Sequence, residues 1–376
     1  MTERFKVPVL KTGKGASPSW VRIPPSPPSF KQHPVNFNSK ILVIRNDRLG
    51  DFMLAWPALA WLRASLPDAN IAVLVPAYTA PLAEICLSVD EVIIDPKEQG
   101  DWRNGWALAK LLRPHHFDAV ITLFSRFDTG LAVWSAAIPY RLAPATKLAQ
   151  VFYNHRLKQR RSESAKPEYE YNLDLVKAFL LDHRSQPAPL PQPPYLHFHE
   201  TEVSALESEF RNTHRIPGAR RLVFVHAGHG GSASNLSLEQ YAELTRHLQS
   251  RNGHHVVLTA GPGEESRSQA LSGLLTGVPH CLYSSREGLV KFAKHLQFCD
   301  VFISGSTGPL HIAGALNCRT AAFYPRRRSS TALRWQTVNA ADRRLVFMPP
   351  ANSEESDMTE IDVVSAAAGI SQRYLL

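Results

Sequence analysis

Ser304-Gly305-Ser306-Thr307-Gly308-Pro309-Leu310-His311 gathers three hydroxyls, two glycines and an imidazole into one short stretch. It follows the apolar run Val301 to Ile303 and precedes the Ala-rich run Ile312 to Leu316, so the pattern predicts a strand, a tight turn and a helix. Such a turn leaves backbone N–H groups at a helix N-terminus, where they can hold a phosphate. Thr307 adds a hydroxyl there, and His311 a ring one turn further on. A second strand-turn-helix unit runs from Ile41 to Ile44 into Asn46-Asp47-Arg48-Leu49-Gly50-Asp51. Gly50 is read as permitting a tight turn. Asp51 falls near a helix N-terminus at the carboxyl end of the first strand, the edge where open α/β sheets bind ligands. Its type fits two roles, a catalytic carboxylate or an N-cap. Asp47 and Arg48 share the loop and can shape the same pocket. Two such units in two halves point to a cleft enzyme that handles a phosphorylated donor.

Two further loops carry candidate contacts. Gly228-His229-Gly230-Gly231-Ser232-Ala233-Ser234-Asn235 suits close approach to a diphosphate through Ser232 and Ser234, and equally suits a lid or a plain loop. Gly261-Pro262-Gly263 leads into Glu264 and Glu265, which fit either a ribose diol or the acidic preference of a helix N-terminus. Neither Gly-x-Gly-x-x-Gly nor a Walker A loop is present, which speaks against a nicotinamide oxidoreductase. The pairs His115-His116 and His254-His255 lack helical ligand spacing. With no His-Glu-x-x-His and no nucleophile elbow, no metal site is expected.

The elements that must position these residues follow from alternation. Strands are predicted at 41–44, 71–75, 91–94 and 119–123, with helices at 51–66, 79–87, 102–112, 130–137 and 171–181. In the second half, strands at 221–226, 255–259, 301–303 and 320–323 alternate with helices at 206–213, 238–250, 289–296 and 310–316, and a helix opens at Glu264. This spacing implies two mainly parallel, doubly wound sheets. Pro57 suggests a late start or a kink in the first helix. The expected domains are an irregular Pro-rich tail at 1–38, a first domain at 39–190, a second at 191–350, and a closing segment at 351–376. The prolines from Pro187 to Pro194 make a stiff linker at the boundary. The halves resemble each other only in their alternation.

The chain has 376 residues, enough for two cores, and a formal net charge of +9, which favours an acidic partner. No nucleic-acid module is visible. Cys86, Cys281, Cys299 and Cys318 lack C-x-x-C spacing, and Cys299 and Cys318 are read as buried thiols. No apolar run reaches membrane-spanning length, and the first residues lack a signal core. A cytoplasmic protein, one that can touch a membrane from that side, is expected.

The segment from Ile41 to Asp51, followed by Pro57 and Leu59, and the segment from Asp300 to Leu316 together resemble the two signatures of the bacterial lipopolysaccharide heptosyltransferases, glycosyltransferase family 9. The resemblance covers roughly residues 40–350. It implies a GT-B fold, two Rossmann-like domains facing a cleft, and inverting transfer of heptose from ADP-L-glycero-β-D-manno-heptose to the lipid A–Kdo–heptose inner core. By matching motif Asp51 is the general base and the Ser306-Thr307-Gly308 turn with the following helix N-terminus is the phosphate clamp; His311 lies in the same motif, Gly50 and Arg48 are candidate substrate contacts, and the lipid acceptor implies peripheral work at the cytoplasmic face of the inner membrane. Gly261, Glu264, Glu265, Ser232 and Ser234 join the donor site. No tightly bound cofactor is implied, although Mg²⁺ can assist the diphosphate.

Two positions depart from the family pattern. Ser234 stands where many members have a Lys before Trp-Pro, and Ser306 stands where many have Asp. Arg45 or Arg48 is the candidate replacement for the missing cation. The basic segment with Arg156, Lys158, Arg160, Arg161 and Lys166 suits the anionic groups of an inner-core acceptor, and suits a solvated loop as well. A different nucleotide sugar or acceptor on the same fold, and a non-catalytic sugar-binding protein, are the alternative readings.

Overall fold

The computed structural model describes residues 39–96, 102–146, 148–228 and 234–376; the tail at 1–38 and Ser232 lie outside them. In the first half the chain forms β1 (Lys40–Ile44), α1 (Leu49–Met53), α2 (Trp56–Ser65), β2 (Asn70–Pro76), α3 (Ala80–Glu84), β3 (Glu91–Asp95), α4 (Trp102–Leu112), β4 (Ala119–Thr122), α5 (Phe127–Ser135), β5 (Tyr140–Pro144), β6 (His155–Leu157) and α6 (Glu168–Asp182). The second half forms α7 (Glu200–Thr213), β7 (Leu222–His226), α8 (Leu238–Asn252), β8 (His255–Ala260), α9 (Glu265–Leu274), β9 (His280–Ser284), α10 (Leu289–Gln297), β10 (Val301–Gly305), α11 (Gly308–Ala315), β11 (Thr320–Phe323), β12 (Arg344–Phe347) and α12 (Val363–Ile370).

Every strand pair is parallel. One sheet has the order β3-β2-β1-β4-β5-β6 and the other β12-β11-β10-β7-β8-β9. Read from β9, the second order is the first with each strand number raised by six. The central strands are apolar and buried along their length because helices cover both faces. The likeness of the halves therefore goes well beyond alternation. In both, the last crossover (β5 to β6, β11 to β12) contains 3₁₀ turns and no α-helix. In both, a final helix packs on the one that follows the first strand's loop, α6 on α2 and α12 on α8.

Two expectations need adjustment. The helix predicted over 51–66 is two helices, α1 and α2, with Pro57 in the first turn of the second, where a missing N–H costs nothing. Four strands, β5, β6, β9 and β12, are additional. The closing segment is α12 followed by a π-helical turn at Ser371–Leu375, seated on the second sheet's core.

The halves share one apolar cluster that runs from Ile41 and Trp56 to Phe224, Phe292 and Leu310. At its centre α1 meets α11. A β-carbon on Gly50 would lie 2.8 Å from His311 Cδ2, and one on Gly308 would lie 2.8 Å from Leu49 Cδ2. Gly50 has an ordinary helical backbone, so its need for glycine is this close approach rather than a turn.

Candidate active site

Both sheets reverse strand order between their first and fourth strands, β1/β4 and β7/β10, and the signature loops leave the carboxyl ends of these strands. On the first side, Arg48 is the N-cap of α1, exposed and without a side-chain capping bond, and Asp51 is its third residue. Asp51 is therefore not the N-cap. Its Oδ1 accepts from Arg45 Nη2 at 2.5 Å. Burial lifts the carboxyl to about 6, reinforced by Asp47 and Glu168 and opposed by Arg45. A carboxylate held near neutrality suits a proton acceptor.

Arg45 cannot serve a diphosphate. It is 2 % exposed, and its guanidinium is spent on Asp47 (Nε, 3.0 Å), Asp51, Glu168 (Nη1, 3.3 Å) and Asn172 (Nη1, 3.3 Å). These carboxylates outweigh the burial that opposes its charge and hold its pKa above the ordinary value. Of the two candidates for the missing cation, only Arg48 faces solvent.

On the second side, Thr307 caps α11 with extended φ −120° and ψ 165°, and its hydroxyl pairs with Ser304 Oγ at 3.0 Å. The first N–H groups of such a helix lack intrahelical acceptors, and Pro309 has none to offer, so Gly308 and Leu310 supply the donors left without a backbone acceptor among the described residues. His311 is buried, which drives its pKa down to about 4 and keeps the ring neutral. Its Nδ1 has no hydrogen-bond partner among the described residues.

The other residues expected at the donor site bind mostly to one another and to the loop after β7. Glu264 Oε2 accepts from Gly261 N at 3.0 Å and stands 3.4 Å from His226 Nε2. A β-carbon on Gly228 would fall 2.3 Å from the same carboxylate. Glu265 Oε2 accepts from Gly263 N at 2.9 Å. Asn235 lies beneath Gly305 and holds the loop start, donating to Ala227 O (3.1 Å) and Gly228 O (3.2 Å). Arg267 Nε also donates to Ala227 O, at 2.7 Å. Ser306 and Ser234 border these turns, Ser234 exposed. His226, Asn235 and Arg267 were not singled out from sequence, since each reads as an ordinary strand, loop or helix residue.

The basic segment divides. Arg161 turns inward and gives Nη1 to Glu168 Oε1 at 2.7 Å. Arg160 is exposed beside Glu163 at 3.5 Å. Lys166 pairs with Asp174. Arg156 and Lys158 are exposed on and just after the edge strand β6, three strand spacings or about 14 Å from β1. Arg156 is in register with Ala143, whose side chain joins the core under α4 and α5, so Arg156 faces that side of the sheet. The same side carries exposed Phe127, Leu148 and Val151; the last two are three apart in a 3₁₀ turn and so eclipse each other.

The first half has its own version of the phosphate turn. After β4, Arg126 caps α5 at φ −118° and ψ 158°, close to Thr307. Here the helix N-terminus carries Asp128. Its Oδ1 accepts from Thr129 N (2.9 Å) and Arg126 Nε (3.1 Å), and its Oδ2 from Arg126 Nη2 (2.8 Å) and Asn104 Nδ2 (3.0 Å).

Two Rossmann-like domains facing a cleft, with a carboxylate offered by one and a helix N-terminus by the other, define a GT-B protein. The family pattern described as glycosyltransferase family 9 (heptosyltransferase) matches residues 105–356. A Haemophilus influenzae protein provisionally named a glycosyltransferase is 46% identical over 333 residues, 88% of this chain and 96% of its own. Lipopolysaccharide heptosyltransferase 2 of Escherichia coli is 26% identical over 292 residues, 76% of this chain and 82% of its own. The solved structure of the E. coli ADP-heptose lipopolysaccharide heptosyltransferase II superposes with a TM-score of 0.71 at 22% identity, covering 89% of this chain and 98% of that one. The chain belongs to glycosyltransferase family 9.

Proposed function

We propose that this glycosyltransferase moves heptose from ADP-heptose to a hydroxyl of the lipopolysaccharide inner core, with inversion, and that Asp51 is the base. One observation carries the reading: the Asp51 helix of one half is packed directly on the phosphate-turn helix of the other, at the Gly50–His311 approach. In-line displacement needs these groups on opposite sides of one anomeric carbon. Asp51 takes the acceptor proton as the oxygen attacks, and the N–H groups of Gly308 and Leu310 with the Thr307 hydroxyl meet the charge growing on the ADP diphosphate. Glu264 suits a ribose diol, with Gly261, Glu265 and Ser234 around it. Arg48, solvent-facing on the loop that leads to Asp51, is the candidate cation for the diphosphate, in place of the lysine replaced by Ser234. Mg²⁺, if present on the diphosphate, would take its ligands mainly from phosphate and water, since the described residues bring together no cluster of three His, Cys, Asp or Glu.

The acceptor is a lipid, and the surface beside β6 suits it. Phe127, Leu148 and Val151 with Arg156 and Lys158 offer apolar contact and positive charge on one face, the combination that holds a protein to anionic lipid. Among the described residues no helix is long and apolar enough to cross a membrane.

The test is mass-resolved transfer from ADP-heptose to lipid A–Kdo and heptosylated core acceptors. The native chain should form product, and Asp51→Asn should lose about two to four orders of magnitude in rate while still binding ADP. ADP binding without transfer to any acceptor would sink the assignment of the reaction.

A further inference from the structure

Glu168, at the start of α6, is buried and is contacted by three arginines from three separate stretches of chain. Its Oε1 accepts from Arg161 Nη1 at 2.7 Å and, more loosely, from Arg45 Nη1 and Nη2 at 3.3 and 3.4 Å. Its Oε2 accepts from Arg334 Nη2 at 3.0 Å. Arg334 lies in the helix-free β11–β12 crossover of the second half. There its carbonyl also accepts from Glu168 N at 2.8 Å, and its Nη1 donates to the Arg161 carbonyl. The crossover thus reaches across the molecule and clasps the residue that shares Arg45 with Asp51.

The distances rank the contacts. Arg45 Nη2 lies 2.5 Å from Asp51 and 3.4 Å from Glu168. Glu168 holds Arg45 loosely because Arg161 and Arg334 already compensate its charge. That leaves the guanidinium against Asp51. Remove Arg334, and Glu168 becomes the stronger competitor for Arg45. Remove the charge of Glu168, and the carboxylates left to Arg45 among the described residues are Asp51 and Asp47.

We propose that Glu168 and Arg334 are positioning residues for Asp51: the ion pair they make between the two halves sets how firmly Arg45 holds the base. The proposal rests on Asp51 being that base, and it predicts opposite effects from the two members of one salt bridge. Arg334→Gln weakens the hold of Arg45 on Asp51 and raises the pH at which Asp51 ionises. Glu168→Gln strengthens the hold and lowers it. The other groups that face Asp51 are Asp47 on its own loop, Tyr78 from the β2–α3 turn, and the neutral His311 ring against Gly50; neither substitution alters them.

The experiment is a ¹³C NMR titration of the aspartate carboxyl carbons in the full chain, with the Asp51 signal assigned by its loss in Asp51→Asn. The pH–rate profile of sugar transfer is followed alongside. Arg334→Gln is expected to shift the Asp51 midpoint up, and Glu168→Gln down, each by at least about half a unit or roughly threefold in proton affinity. Arg334→Lys, which keeps the charge, should restore most of the native midpoint. A merely structural salt bridge would lower stability in both variants and move the midpoint in neither, or in the same sense; either result overturns the proposal. If Glu168→Gln does not fold, Arg334→Gln against Arg334→Lys decides it. The titration needs no sugar substrate, so opposite shifts without any transfer would retain the positioning network and reject the assigned reaction.

Discussion

Between pH 6.5 and 4 the His311 imidazole is neutral in the folded chain and protonated in the unfolded one, because burial depresses its folded pKa to about 4. The unfolded state then binds more protons, so the stability present above pH 6.5 is lost as pH falls through this window. A shift of that size is worth on the order of 3 kcal/mol. Asp51 works in the opposite sense. Its pKa is raised from 3.8 to about 6, chiefly by burial, so the folded state holds a proton the unfolded state lacks, and stability declines as pH rises across that range. Comparison of His311→Gln with the native chain separates the two. The variant should lose less Tm between pH 6.5 and 4, measured by calorimetry, and parallel curves would mean that the ring is not held neutral. A neutral ring also adds no positive charge at the start of α11.

At the scale of elements, most of the buried strands were legible, and of the edge strands only β3 was. β1, β2, β7, β8 and β10 are short apolar runs because both faces are covered. β6, β9 and β12 are edge strands with mixed, half-exposed side chains, and β5 is bounded by Pro139 and Pro144, which read as turns. The candidate site divides in the same way. The Asp51 loop and the phosphate turn declare themselves through local spacing. Glu168 and Arg334 are separated by 166 positions, and nothing nearby in sequence marks either as a partner of Arg45. The inward turn of Arg161 was equally hidden, since its neighbours Arg160 and Lys158 face solvent. The edge element β6 with its preceding 3₁₀ turn carries its own expectation. The native chain should co-sediment with phosphatidylglycerol-containing vesicles and be released by salt. Arg156→Glu with Lys158→Glu, or Leu148→Ser with Val151→Ser, should reduce binding several-fold without loss of fold, because all four side chains are exposed. Equal sedimentation of native chain and variants would place the lipid contact elsewhere.

At the scale of the whole molecule, the halves repeat one plan: the same strand order, the same helix-free last crossover, the same closing helix. Their matching turns have diverged. The loop after the first strand leads to the Asp51 carboxylate in one half and is a glycine-rich segment in the other, and the crossovers differ in reach, one bearing Leu148 and Val151 and the other carrying Arg334 across to Glu168. The turn after the fourth strand differs most in its consequence. In the second half it ends on hydroxyls and free N–H groups, whereas in the first half the carboxylate of Asp128 sits at the helix N-terminus and takes the hydrogen bonds of Thr129 and Arg126. A repeated architecture would suggest two seats for a nucleotide, and the chain fills one of them from within. Calorimetric titration with ADP should therefore saturate at a stoichiometry of one per chain, and a second equivalent of uptake would show that Asp128 yields its place.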